Sequence, residues 1–410
     1  MANVTDVIII GGGASGLCAA VYLKQNFPKF SVRILESLPR VGKKLSLTGN
    51  GRCNITNKNI DLFRYHGKDT AFAEYALNKY NREYCENFFE GIGVPFVYEG
   101  EKAFPSSLQA SSVVDCLRFS ADNLGVIIHT ETKVTNIQIS NGLYKVIAGN
   151  LSFLAKNVII ATGLFSGGEK MGSDGSMLKI LQKAGFKTEK TTPAIVQIKT
   201  ETDIVKQLKG VKSNANVTLS TEGKVVRKDF GEVLFCDYGL SGPPIMQISR
   251  AAFRDNKSYT ISLDIMPDVT LESLVSALLK RSNNLKHLSL DEFFTGMLQK
   301  RLGQVILKKA GLKLSDSVAE LTDKDIENIA LCIKNFEFSV VGNTGFSNSQ
   351  VTAGGLSTDQ FSDKTMMSKT NRGLYCIGEI LDIDGDCGGF NLQWAWSSAM
   401  AAAEGIGGKK

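Results

Sequence analysis

A buried-strand signature running straight into a glycine-rich turn most narrows what this chain can fold into. Val7-Ile8-Ile9-Ile10 is a continuous apolar run, the pattern of a parallel strand covered on both faces. Gly11, Gly13 and Gly16 then place G-x-G-x-x-G at its end. In that pattern the first glycine makes the tight turn and the second lets the backbone approach a pyrophosphate. The third lets the following helix pack on the strand. The helix opens near Ala14 and Ser15, so its free N–H groups and positive dipole end face the phosphates. A second strand, Val32-Arg33-Ile34-Leu35, ends at Glu36, where a carboxylate accepts both hydroxyls of an adenosine ribose and repels a 2′-phosphate. Strand, turn, helix, strand and acid in this order predict an adenine-dinucleotide site in an α/β fold.

The chain's 410 residues allow two or three domains. With 43% hydrophobic and 21% charged residues it has an ordinary globular composition. A net charge of +6, from 47 basic and 41 acidic residues, is too mild to call for nucleic acid or a membrane. The early apolar run lacks a basic flank, so no signal peptide is expected, and no apolar run reaches membrane-spanning length. The eight cysteines form no C-x-x-C and no zinc spacing, and the three histidines lie far apart. No metal site is expected, and scattered single thiols point to a reducing, cytoplasmic setting.

After Glu36 comes a dense polar loop from Arg40 to Asn57. Lys43, Lys44 and Arg52 are candidates for phosphate charge, and Thr48, Asn50 and Asn54 for hydrogen bonds to sugar or ring edges. Further on, Lys156 to Gly163 reads as another buried strand ending in small residues, Ala161-Thr162-Gly163, which leave room for a ligand. Gly373 to Glu379 is a strand ending in Gly378-Glu379, followed by Asp382 and by Gly388-Gly389-Phe390-Asn391-Leu392 at the start of a last helix.

The pair of G-x-G-x-x-G with G-K-K-L-S-L-T-G-N-G-R-C-N-I-T-N resembles the BaiN/YhiN-like flavoproteins, the aminoacetone-oxidase-type FAD-binding family. Asn50 stands where most members carry glycine, and Leu164 replaces a glycine after Ala-Thr-Gly. The resemblance implies a tightly bound FAD, with the loop of Gly49, Arg52, Cys53 and Asn54 along the cofactor. It implies that Val134 offers its backbone to adenine, that Ala161 to Gly163 form a second contact, and that Asp382 bonds the ribityl chain. The last helix would aim its N-terminal amides at the pyrimidine edge of the flavin, where about half a positive charge favours the reduced anion.

The implied architecture is a discontinuous, glutathione-reductase-like Rossmann-type FAD-binding domain, 1–192 with 341–410. Alternating apolar and polar residues predict a β-rich insertion over 193–268 and 330–340, and apolar spacing a helical subdomain over 269–329. Asp291 and Thr322 are expected N-caps. Residues 61–93 read as helical, Lys102–Ser106 and Gln350–Leu356 as loops, and Gly405–Lys410 as a frayed tail.

Only one G-x-G-x-x-G opens a helix, so NAD(P)H would dock transiently rather than own a second βαβ unit. Tyr238 and Glu379 are read as structural in preference to acid or base, Cys53 and Cys387 as packing thiols, and His66 has no partner visible in the sequence. Catalytic residues are left unassigned. The leading expectation is an FAD-dependent oxidoreductase acting on a small molecule, by NAD(P)H-dependent reduction of a conjugated enone. The resemblance also leaves room for amine oxidation by oxygen; an RNA-modifying or non-catalytic flavin-binding protein is the rival of another class. Oligomeric state has no sequence signal.

Overall fold

The computed structural model describes residues 4–140, 142–255 and 257–408. The chain forms two compact units, Met1–Pro193 with Phe346–Lys410, and Ala194–Gly345.

In the first unit the strand Thr5–Ile10 lies between Val32–Leu35 and Leu151–Ile160, parallel to both, and Ile127–His129 extends the sheet beyond Val32–Leu35. The long strand Leu151–Ile160 changes partner along its length. Its first half pairs antiparallel with Leu143–Ala148, and its second half pairs parallel with Leu374–Cys376. That second pairing returns the chain's last quarter to the nucleotide sheet, and Ile377 N–H closes on the Ile160 carbonyl. Val7 to Ile9 and Val158 to Ile160 are wholly buried, as continuous apolar strands demand.

Two helices cover the sheet where the site lies. Ala14–Asn26 buries Ser15 to Leu23, and Phe390–Gly407 buries most of its length, including Trp394 and Trp396. Both are apolar nearly all round, the character of helices enclosed on several sides. Trp396 donates to the Ile55 carbonyl and Trp394 to the Gly378 carbonyl, so even their polar edges are satisfied inside.

In the second unit six strands close a barrel in the order Ile198–Thr200, Gly239–Ser241, Lys224–Cys236, Lys212–Thr221, Thr260–Asp264, Phe336–Asn343. The helices Leu271–Asn284, Lys300–Lys309 and Asp323–Lys334 share one apolar core with it, joining Leu274, Ile306 and Ile329 to Val217, Phe235 and Phe336.

Several local expectations are corrected. Residues 61–93 are not one helical stretch: Tyr65–His66 is a strand, and helices occupy Glu74–Lys79 and Arg82–Gly91. Lys102–Pro105 and Val351–Leu356 are strands rather than loops, paired with Phe96–Glu99 and Thr188–Ala194. Asp291 is not an N-cap: it lies inside a short 3-10 turn, Leu290–Glu292, and accepts from Gln304, while the α-helix that follows starts at Lys300 with Gln299 as its cap. Thr322 does cap its helix, in a reciprocal box with Asp325. The last helix runs to Gly407, so the tail is ordered through that residue, and 409–410 lie outside the described residues.

Candidate functional site

The glycine turn is shaped by collisions it must avoid. Gly11 sits at φ +102°, and a Cβ there would lie 2.6 Å from the Ala161 carbonyl oxygen. A Cβ on Gly16 would overlap the Gly11 carbonyl. At Gly13, with an ordinary φ of −83°, a Cβ would meet nothing within 4 Å. The first and third glycines are therefore needed by the protein's own packing. The second faces open space, as a residue must where pyrophosphate comes down on the backbone. Ala14 opens the helix with no side-chain cap at Gly13, so the helix offers its first amides to an anion.

Glu36 is buried beside this turn. Its Oε2 accepts from Gly12 N–H at 2.8 Å and its Oε1 from Leu38 N–H at 2.8 Å. A carboxylate has further lone pairs, so it holds the loop in shape and still has capacity for ribose hydroxyls.

Three distant segments meet at Glu379. Its Oε2 lies 2.5 Å from Lys44 Nζ; its Oε1 accepts from Ser166 Oγ at 2.5 Å and from Thr352 N–H at 3.0 Å. Lys44 also bonds Ser166. A carboxylate with this many donors serves as an anionic clasp. Ser166 and Thr352 were not singled out from the sequence; their only signal was membership of small-residue stretches near glycines. Gly163, at φ +63°, lies next to the clasp, 3.7 Å from Glu379 Oε2 as measured from a Cβ position. Ala161 continues the strand by donating to Ile10, and Thr162 bonds the Gly163 carbonyl.

The polar loop divides. Lys44 enters the clasp, whereas Lys43 is exposed and uses its carbonyl to accept from Ser46. Arg52 grips Glu99 with its guanidinium at 2.8 and 2.9 Å and covers the Phe104 ring. Thr48 bonds the Leu45 carbonyl, and Gly49 and Asn50 turn the chain through left-handed conformations at φ +58° and +56°. Cys53 is wholly buried, and burial pushes its thiol up to about 12, so it is an inert packing group. Tyr238 lies in the barrel unit between two strands; burial and Cys236 push its phenol up, leaving it protonated.

The last helix starts in a built cradle. Gly389 is left-handed at φ +100°, and a Cβ there would strike the Thr56 carbonyl and Asn54 Oδ1. Asn57 donates to the Gly388 carbonyl at 2.8 Å. Asn391 bonds both N–H and carbonyl of Gly385, and Phe390 is buried edge-on to Tyr65. Leu392 is half-buried in the first turn of this helix. Asp382 is buried with Oδ2 accepting from Lys68 N–H, and Val134 is buried beyond the Ile127–His129 strand. Gly378 packs on Ser15, its Cβ position 2.9 Å from Ser15 Oγ, which brings the third segment onto the first.

These residues fit FAD. Gly13 gives an open approach over free helix amides, Asn54 Oδ1 is buried with no hydrogen-bond partner, and the uncapped helix at Gly389 presents positive charge. Gly11 to Gly16 and Glu36 would hold the pyrophosphate and adenosine, and Asp382, Asn54 and Gly388 to Leu392 the flavin end. Among the described residues no cluster of metal-ligating side chains occurs, and no helix is long and apolar enough to cross a membrane.

A family model described as the HI0933-like protein Rossmann domain matches residues 5–405. A 3-dehydro-bile acid delta(4,6)-reductase from Clostridium scindens is 32% identical over 96% of this chain and 97% of its own length. Ribosomal RNA dihydrouridine synthases from Haemophilus influenzae and Escherichia coli are 28% and 26% identical, covering 98% and 97% of each. Among solved structures, a quinol–fumarate reductase superimposes with a TM-score of 0.53 at 13% identity, over 100% of this chain and 72% of that one. An open-conformation flavocytochrome c3 fumarate reductase gives 0.50 at 13% identity, over 99% and 78%. At that identity the likeness is one of fold.

Proposed function

The chain belongs to the HI0933-like Rossmann family and is an FAD-dependent oxidoreductase, and on that footing we propose that it reduces a carbon–carbon double bond conjugated to a carbonyl, with electrons from NAD(P)H. The observation that carries this reading is the bond shared by its full-length relatives. A delta(4,6)-unsaturated 3-dehydro bile acid and a uracil ring both hold a C=C next to C=O, and the names describe its saturation. Bound FAD supplies two-electron hydride chemistry. The chain's part is to hold it, through the glycine turn, Glu36 and the last-helix cradle, and to favour its reduced anion with the amides at Gly389.

With a single dinucleotide turn in the sequence, the nicotinamide visits and leaves. A small enone is the preferred acceptor, because basic residues are interleaved with acidic ones along the chain. Uracil in RNA is the second reading, favoured by the two dihydrouridine synthases. A cytoplasmic setting accords with eight cysteines scattered singly along the chain.

The test is anaerobic rapid mixing of holoprotein with NADH and NADPH, then with a conjugated dienone bile acid, cyclohexenone or an RNA transcript. Bleaching by a nicotinamide and recolouring by one acceptor supports the proposal. Bleaching by an amine alone, with recolouring by oxygen, replaces it with amine oxidation.

A further inference from the structure

We propose that His66, oriented by Asp386, donates the proton that completes this reduction; the inference rests on the reaction proposed above. The strand Tyr65–His66 pairs antiparallel with Asp384–Gly385, immediately before the loop that opens the last helix. His66 Nε2 lies 2.7 Å from Asp386 Oδ1, across 320 residues of sequence. Arg64 steadies the same loop, its carbonyl accepting from Asp386 N–H at 2.9 Å and its guanidinium 3.4 Å from Oδ2.

Side chains alternate across a strand. Tyr65 goes inward, with its hydroxyl on the Phe390 carbonyl, so His66 takes the other face. Its side chain keeps 22% exposure while the Asp386 carboxylate keeps 4%. A buried carboxylate on one ring nitrogen fixes the orientation of the ring and its tautomer. Nε2 is committed to Asp386, which leaves Nδ1 for a substrate.

The charged neighbours are Arg64, Asp386, the backbone partner Asp384, and Lys68 two residues on. Three other ionisable groups of the cofactor segments are held back. Lys44 and Glu379 hold each other, and Cys53 is buried with its thiol pushed up to about 12. Asp386, which His66 bonds, stands three residues before Gly389, and His66 retains access to water to recover its proton.

In the step, a hydride adds to the β-carbon of the conjugated C=C, its electron pair supplied by NAD(P)H. The π pair moves toward the α-carbon and takes the proton from Nδ1–H of cationic His66. The substrate gains two C–H bonds and is reduced, the nicotinamide is oxidised, and neutral His66 recovers one proton from solvent.

The test compares wild type with His66→Gln, His66→Ala and Asp386→Asn as holoproteins, in separate half-reactions. The first is bleaching by NAD(P)H; the second is recolouring by whichever of cyclohexenone, the dienone bile acid or the RNA transcript the wild type accepts. Bleaching is expected to stay within about threefold. Recolouring of His66→Gln is expected to slow about a hundredfold or more, the usual worth of a placed general acid. Asp386→Asn should fall between, and added imidazole should partly restore His66→Ala. FAD content and the visible flavin spectrum should match wild type in all three.

Recolouring of His66→Gln at the wild-type rate overturns the assignment. Slow recolouring with loss of FAD and no imidazole rescue overturns it too, showing a structural role. A wild type that recolours with none of these acceptors removes the reaction itself and the inference with it.

Discussion

Lys44 Nζ and the Glu379 carboxylate lie 2.5 Å apart although 335 residues separate them in sequence. With Ser166 and Thr352 they tie the polar loop, the segment after Ala-Thr-Gly and the returning strand into one knot. Removing the carboxylate leaves an ammonium, a hydroxyl and an amide without their acceptor. Glu379→Ala is therefore expected to lose about 3 kcal/mol, the cost of stranding a half-buried ionic partner. Glu379→Gln should lose less, because an amide oxygen still accepts. Thermal melting of the holoproteins and FAD titration of the stripped proteins check the order wild type, Gln, Ala.

The glycine turn separates packing from ligand contact. Gly16→Ala puts a methyl group into the Gly11 carbonyl, so the helix must lift off its strand. This variant should melt lower whether or not FAD is present. Gly13→Ala meets nothing in the protein and keeps an ordinary φ. It should fold like wild type yet bind FAD at least tenfold more weakly, because the methyl stands where phosphate must approach. Equal FAD affinity in Gly13→Ala and wild type would mean the pyrophosphate lies elsewhere.

The nucleotide half of the fold was legible because its signals are local. Ile8 to Gly16 and Val32 to Glu36 carry strand, turn and acid within short windows, and the structure gives that order. Elements made by distant partners were not legible. Val351–Leu356 reads as a loop because Ala353-Gly354-Gly355 lacks β-branched residues. It is a buried strand because Gly354 lets the Lys190 backbone approach where a side chain would clash. Tyr65–His66 was hidden inside an apparent helical period, since only Asp384–Gly385 makes it a strand. The same distance hid Asp386 from His66 and Ser166 from Glu379. At Arg52 the charge was visible, but not that Glu99 and Phe104 would lie against it.

Burial sets which thiols can react. Cys53 and Cys85 are enclosed, each with its thiol pushed up to about 12, so almost no thiolate exists at pH 8. Raising the pH to 10 still leaves them below that value. Iodoacetamide labelling of the native protein, read by mass spectrometry, should mark the partly exposed Cys116, Cys236, Cys332 or Cys387 first. Cys53 and Cys85 should label only after unfolding. Rapid native labelling of Cys53 would reopen a redox role for it.

Asp6, near the start of the central strand Thr5–Ile10, gives the sheet a defined acid sensitivity. Burial alone would raise its carboxyl, but hydrogen bonds from Lys156 and from the Ser31 amide and hydroxyl outweigh burial and hold it below the usual carboxylate value. A carboxyl lowered in the folded state binds its proton more readily when unfolded. Its contribution is thus complete above about pH 4, the unfolded value, and drains away as the pH falls through the lower folded value. Asp6 and Lys156 are partly exposed, so solvent screening limits the pair to about 1 kcal/mol. Asp6→Asn should accordingly be less stable than wild type by about that amount at pH 7, and the gap should narrow as the pH falls below about 4. Urea unfolding of both proteins across this range measures it, and a gap unchanged by acid would assign the loss to the side chain's shape instead of its charge.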